Sequence, residues 1–210
     1  MIIVLGGKKG GTGKSTIATN LAVSISNKDK SVLLIDADPQ ETSYEWYQAR
    51  IENEKLSNIS ATQGKGNIKR MIIDFKDKYD FIIIDTHGGD STEQRTACLA
   101  ADIFLMPVRP SFADVSSLSK QLSNFEELLD LNERLKLYCL LSQCPTNIKM
   151  KDKKDALEVL IEFPYINILE CNTSWYKVYW KALECGMGVG EYDKKHKASK
   201  EIEKLVEEIA

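Results

Sequence analysis

The residues from Gly6 to Thr16, GGKKGGTGKST, carry the chemistry that is easiest to name. Gly13, Lys14 and Ser15 fill the second half of the phosphate-binding pattern G-x-x-x-x-G-K-[ST]. Its first glycine belongs at position 8, where this chain has Lys8. Glycines stand instead at 6, 7, 10 and 11, and a second lysine, Lys9, precedes the inner pair. Glycines at Gly10, Gly11 and Gly13, around Thr12, let backbone N–H groups turn inward around phosphate oxygens. Lys14 is expected to reach the β- and γ-phosphates, and Ser15 to ligate Mg²⁺. The ligands this pattern implies are a nucleoside triphosphate and Mg²⁺.

Two further stretches end in carboxylates. DADPQ holds Asp36 and Asp38 after an apolar run, where a carboxylate can hold Mg²⁺ through water or orient a water that attacks the γ-phosphate. Each is also a common turn residue, so the reading leans on the loop beside it. FIIIDTHGG ends an apolar run in Asp85, the position of a second Mg²⁺-binding acid in phosphate-loop enzymes. Gly88 and Gly89 would free the loop that follows to respond to a γ-phosphate. His87 has no acid–base partner nearby in sequence and reads as an ordinary loop residue.

Such groups need elements to hold them. MIIVLG, SVLLIDAD, DFIIIDT, DIFLMPV and LKLYCLLS are short apolar runs suited to strands buried on both faces, and YINIL reads as a last short strand. Helical spacing is expected over 15–26, 41–54, 66–77, 91–101, 113–132, 152–162, 174–185 and 194–209. Strands alternating with helices predict a doubly wound, mostly parallel α/β sheet with helices on both faces. In such a sheet ligands sit at the carboxyl ends of the strands, which is where the opening loop, DADPQ, DTHGGD and PVRPS lie. No repeat, low-complexity tract or linker divides the chain, so residues 1–210 are expected to form one domain.

Composition narrows the class. The chain has 210 residues, 43% of them hydrophobic, and a net charge of -3. It is long enough for a real core and not globally basic, so a nucleic-acid contact requires a local patch. The opening apolar run is too short for a signal peptide and lacks a basic front end, and no run has the length of a membrane span. The five cysteines form no C-x-x-C pair. That disfavours zinc and iron–sulfur chemistry and suits reduced thiols in a cytoplasmic protein.

KGGTGKST, DADPQ and DTHGG together resemble the deviant Walker-A ATPases, and most closely the ParA-type partition ATPases of the MinD/ParA superfamily. ADIFLMPVRPSFADVSSL and the closing ALECGMGVGEYDKKHKASKEIEKLVEEI are similar to that family's later segments, so the resemblance spans nearly the whole chain. It implies a P-loop NTPase fold in the short form without an N-terminal helix-turn-helix. It also accounts for Lys9, the family's signature lysine, which acts across a dimer interface on phosphates bound by the other subunit. By the same resemblance Lys9, Lys14 and Asp38 are the catalytic residues, Asp38 positioning the hydrolytic water. Lys9 through Thr16 hold the nucleotide, with Thr16 on the α-phosphate. Ser15, Asp36 and Asp85 lie near Mg²⁺.

The resemblance further implies slow ATP hydrolysis, a homodimer when ATP is bound, non-specific DNA binding by that dimer, and a ParB-like centromere-binding partner that stimulates hydrolysis. The expected location is cytoplasmic, on the nucleoid when ATP is bound. Candidate DNA contacts are Lys149, Lys151, Lys153 and Lys154, then Lys177 and Lys181 on one helical face, then Lys194, Lys195, Lys197 and Lys200. WYKVYW, with Trp175, Tyr176, Tyr179 and Trp180, reads as a packing stripe, and Ser142–Asn147 as a wall for adenine. Two rivals stand beside this reading. A MinD-like membrane-positioning ATPase would need a basic amphipathic closing helix, whereas EIEKLVEEIA has an acidic polar face. A small-molecule ligase on the same fold would leave Lys9 unexplained.

Overall fold

The strand Ile2–Leu5 (β1) shows how the pattern becomes structure: all four residues are apolar and buried. Ile3 and Leu5 enter one core, Ile2 and Val4 the other. Successive strand residues point to opposite faces, so an uninterrupted apolar run is what a sheet covered on both sides requires. The computed structural model describes residues 1–119, 122–147 and 152–210. Within them the chain runs β1, α1 (Lys14–Ser26), β2 (Val32–Ala37), α2 (Thr42–Ile51), β3 (Ser60–Gln63), α3 (Lys69–Phe75), β4 (Phe81–Thr86) and α4 (Thr92–Cys98). It continues through β5 (Ile103–Val108), α5 (Phe112–Ser119), α6 (Leu122–Leu131), β6 (Lys136–Cys144), α7 (Asp152–Leu160), β7 (Ile166–Ser174), α8 (Lys177–Glu184), α9 (Val189–Tyr192) and α10 (Lys197–Ile209).

The seven strands form one sheet in the order β3-β2-β4-β1-β5-β6-β7, and every pairing is parallel. The expected sheet is therefore present and parallel throughout. One core lies between the sheet and α3 to α7, with Ile72, Ala97, Val115, Phe125 and Leu160 among its buried residues. The other lies under α1, α2 and α10, with Ile17, Leu21, Trp46, Leu205 and Val206. Fully burying a side chain of this size contributes about 1.5–3 kcal/mol, so the two layers together fix the sheet from both sides.

Register does the positioning. Asp36 pairs with Asp85 across β2 and β4, and Leu5 pairs with Asp85 across β1 and β4. Three carboxyl ends thus finish level, and the loops that follow them open on one edge.

Several boundaries differ from expectation. β3 was not anticipated, because SATQ is too polar and too short to read as a strand; it forms by pairing Leu33–Asp36 with Ser60–Gln63. The helical stretch expected over 113–132 comprises α5 and α6. β7 runs past YINIL to Ser174, so the helix expected from 174 begins at Lys177. Lys149 and Lys151 lie outside the described residues, as does the Lys153 side chain.

Candidate functional site

The loop after β1 is shaped by glycines where the backbone demands them. Gly11 and Gly13 have φ of 72° and 92°, in the left-handed region that favours glycine. Gly13 caps α1 without a side-chain hydrogen bond, and no acid occupies the first turn. The helix therefore presents uncapped N–H groups and an undiluted positive end at Lys14, Ser15 and Thr16, a ready-made anion site. Ser142 donates from its hydroxyl to the Thr12 carbonyl at 2.8 Å, and Gln143 Nε2 donates to the Gly11 carbonyl at 2.8 Å, so the end of β6 braces the loop from outside. From the other side Gln94 Oε1 accepts from the Gly7 N–H at 2.9 Å.

Lys14 is buried, and its amine donates to the Lys9 carbonyl at 3.1 Å. Burial lowers its pKa, and the nearby charges of Asp85 and Asp38 oppose that shift. Asp85 is fully buried, and its carboxyl is pushed up to about 7 by burial, against the hydroxyls of Ser43 and Ser15 and the charge of Lys14. The Ser43 hydroxyl donates to Asp85 Oδ2 at 2.5 Å. Asp85 Oδ1, by contrast, is buried without a hydrogen-bond partner. Burying such an acceptor costs free energy unless a ligand satisfies it.

Asp36 is held by its neighbours' backbone: Asp38 N–H donates to Oδ1 at 3.0 Å and Tyr44 N–H to Oδ2 at 2.7 Å. Burial raises its pKa while those hydrogen bonds lower it, and burial prevails. Asp38 accepts from the Gln40 N–H at 2.9 Å and faces His87 Nδ1 at 3.3 Å. The orphaned Asp85 oxygen, the Ser15 hydroxyl beside that carboxyl and Asp36, paired with Asp85 across the strands, are all oxygen donors, the kind that would suit Mg²⁺. Bound there, Mg²⁺ would neutralise phosphate charge. Asp38, less buried than Asp36 and set between two loops, is placed to accept a hydrogen bond from a water.

The loop after β4 packs directly on the phosphate loop. A Cβ on Gly88 would lie 2.7 Å from Gly10 N and 2.8 Å from the Lys9 carbonyl carbon. Gly89 has φ 136°, and its N–H donates to the Gly7 carbonyl at 3.0 Å. Gly88 thus serves close approach, a tighter requirement than the mobility read from sequence.

Lys9 meets the Lys14 amine through its backbone carbonyl, but its side chain is bonded to another element. Its side chain is 35% exposed, and its amine donates to Asp114 Oδ1 at 2.9 Å. Asp114, in the first turn of α5, also accepts from Arg109 Nε at 2.6 Å. Burial works to raise the Asp114 pKa, but the hydrogen bonds from Arg109 and Lys9 outweigh it and hold the carboxyl below its ordinary value.

Beside the loop a small open cleft is lined by Thr12, Thr16, Gln143, Ser174, Trp175 and Tyr176, among others. Tyr179 is buried, as the packing reading of WYKVYW expects, but Trp175 and Trp180 are each about half exposed and meet edge to face at 4.9 Å between centroids. Trp175 and Tyr176 precede α8, so strand β7 rather than a helical face sets their direction. Of the Ser142–Asn147 segment, Gln143 lines this cleft, whereas Ser142 is buried against the Thr12 carbonyl; Gln143 carries a φ of 52°, unusual for a side-chain-bearing residue.

The structure gathers Lys9 to Thr16, Asp36, Asp38 and Asp85 at one edge of the sheet. Ser43, Gln94, Arg109 and Asp114 are the residues that sequence reasoning missed. Of the candidate DNA lysines, Lys177, Lys181, Lys194, Lys195, Lys197 and Lys200 are exposed, and exposed Lys154 pairs with Glu158 at 3.6 Å.

Comparison with known proteins bears on the family and the fold. Residues 3–169 match the family model described as the CobQ/CobB/MinD/ParA nucleotide binding domain. Over 209 residues the chain is 25% identical to the maintenance of carboxysome distribution protein A of Halothiobacillus neapolitanus, covering 96% of this chain and 92% of that protein. It is 30% identical over 131 residues to ParA of Rhizobium radiobacter, covering 60% of this chain and 57% of that one. In structure it superposes on Cyanothece McdA with TM-scores of 0.81 for the apo form and 0.80 for an ATP complex, at 21% identity. The superposition covers 100% and 99% of this chain, and 99% and 95% of those chains, respectively.

Proposed function

The chain belongs to the CobQ/CobB/MinD/ParA nucleotide-binding domain family, the family of the ParA and MinD ATPases, and from that premise we propose that it is an ATP-driven positioning switch that works on DNA. ATP binds with its phosphates on Gly10 to Thr16 and its base in the cleft beside Gln143 and Trp175. Lys14 anchors the β- and γ-phosphates, and Ser15, Asp36 and Asp85 serve Mg²⁺. Asp38 orients the hydrolytic water. Lys9 crosses to the phosphates held by a second copy, so that nucleotide and dimer form together. The dimer binds DNA non-specifically, and a ParB-like partner triggers hydrolysis and release. Such a cycle belongs on the nucleoid, in the cytoplasm.

The observation that carries this reading is the placement of Lys9. Lys14 already occupies the inner side of the loop, whereas Lys9 stands on the outer lip, partly exposed and bonded to another element. A second phosphate-seeking cation there serves a neighbour better than its own cradle.

The DNA surface is supported by packing. The Tyr176 and His196 rings meet edge to face at 4.9 Å, and the Tyr179 hydroxyl donates to Glu201 at 3.0 Å. These contacts set α8 against the start of α10, so Lys177 and Lys181 lie on an element adjoining Lys194, Lys195, Lys197 and Lys200. The membrane rival loses support from α10, whose Ile202, Leu205, Val206 and Ile209 are all buried in the protein's own cores.

One relative is ParA and another is named for the maintenance of carboxysome distribution, the latter matched over more of its length; the Lys9 test addresses the switch common to both. Lys9→Ala should still bind ATP, because Lys14 and the loop amides remain. It should fail to dimerise with a slowly hydrolysed analogue, as read by light scattering, and hydrolysis should fall by roughly 10³-fold or more. Duplex DNA binding should fall with it. Normal dimers and normal turnover in this variant would refute the switch.

A further inference from the structure

Asp114 holds two cations at once, and the arrangement is uneven. Arg109 Nε donates to Oδ2 at 2.6 Å, while Oδ1 is shared by Lys9 Nζ at 2.9 Å and Arg109 Nη2 at 3.3 Å. The carboxylate is 3% exposed, whereas Lys9 and Arg109 are 35% and 42% exposed. α5 fixes the carboxylate in place: the Asp114 N–H bonds the Ser111 carbonyl at 3.0 Å, and the Ser111 hydroxyl stands 3.3 Å from the same nitrogen.

We propose that Asp114 and Arg109 are positioning residues for Lys9: Asp114 holds the lysine away from any second subunit until nucleotide binds, and Arg109 takes over its oxygen when the lysine leaves. This rests on the reading of Lys9 as a cation supplied in trans. The logic is that of a buried charge. Removing Lys9 from an otherwise unpartnered carboxylate would strand a desolvated anion, which is strongly unfavourable. Arg109 already lies beside Oδ1, and its planar fork can close on both oxygens in the bidentate geometry that guanidinium and carboxylate share. The release of Lys9 therefore leaves the buried carboxylate paired with Arg109 rather than stranded. Nucleotide-dependent dimerisation draws on the fraction of chains with Lys9 free, and anything that changes this fraction changes the apparent affinity in proportion.

The two residues act on Lys9 in opposite senses, and that separates this role from a merely structural one. Asp114→Asn loosens the hold. In nucleotide-free protein the Lys9 amine should then acylate about fivefold faster under trace acetic anhydride, read by mass spectrometry, and half-maximal dimerisation with a slowly hydrolysed ATP analogue should need about fivefold less nucleotide. Arg109→Ala removes the successor and tightens the hold, so Lys9 should acylate more slowly and dimerisation should need more nucleotide. Arg109→Lys, which keeps the charge, should return both readings toward wild type. Unaltered Lys9 reactivity in Asp114→Asn, or shifts of the same sign in both single variants, would overturn the proposal; the arginine variants decide it alone if Asp114→Asn does not fold. A wild-type protein that stays monomeric with nucleotide would refute the trans reading, and the acylation rates would still judge the hold on Lys9.

Discussion

Asp38 is the residue whose surroundings differ most from those of its neighbours. Asp36 is fixed by two backbone N–H groups and Asp85 is fully buried, while Asp38 keeps some exposure between Gln40 and His87. Asp38→Ala should therefore leave nucleotide affinity and dimerisation intact and lower steady-state hydrolysis by about a hundredfold, the scale of losing one well-placed orienting group. Phosphate release under saturating ATP, measured beside light scattering, checks both halves. Wild-type turnover would pass the water to Asp36. The loop and its three acids were legible because each motif is local: the glycine spacing, the lysine and the strand-terminal acids lie within a few residues. Ser43, Gln94 and Asp114 were not legible, because each acts on a partner far along the chain, at separations of 42, 87 and 105 residues. Ser43 looks like any helix-start serine until β4 delivers Asp85 beside it.

Elements are coupled through close backbone approaches and short clamps. The loop after β4 touches the phosphate loop at Gly88, where any side chain meets backbone atoms below 3.0 Å. Gly88→Ala should push the two loops apart and weaken ATP binding about tenfold, equivalent to about 1.4 kcal/mol, as fluorescence titration would read. At the opposite edge of the sheet, Asp80 ties the starts of β2 and β4. Its Oδ2 accepts from the Ser31 N–H and hydroxyl, both at 2.8 Å. Those hydrogen bonds, the backbone one foremost, hold its carboxyl below the usual 3.8. The clamp is thus at full strength above 3.8 and is lost as the pH falls through the lower folded value. Asp80→Ala should melt below wild type at neutral pH, with the gap narrowing in acid; a gap independent of pH would show that the carboxylate charge is idle. Element type was readable wherever apolar runs were long. β3 was not, since SATQ owes its strand form to β2 beside it, and helix ends shifted by several residues where turns such as Asn53 N–H to the Arg50 carbonyl close them early.

Charge is unevenly distributed over the whole molecule. A net charge of -3 rules out attraction of DNA by bulk charge, so the proposed function requires the exposed lysines of α8 and of the approach to α10 to act as a patch. Replacing Lys177 and Lys181 together by Ala should weaken duplex binding equally across sequences and flatten its log–log salt dependence by about one unit per lysine. Filter binding over a salt series measures the slope; an unchanged slope would move the footprint to Lys194–Lys200. The strand order has a consequence of another kind, for the order in which the molecule comes into being. β1 lies between β4 and β5, and Ile2 finds its first strand partner at Ile82. At roughly 5–20 residues per second of synthesis, an emerging chain carries its apolar opening and its complete phosphate motif for several seconds before any strand can pair with them. Nucleotide competence is consequently a late acquisition of the nascent chain, and a ribosome that stops short of β4 releases every residue of the motif without a cradle.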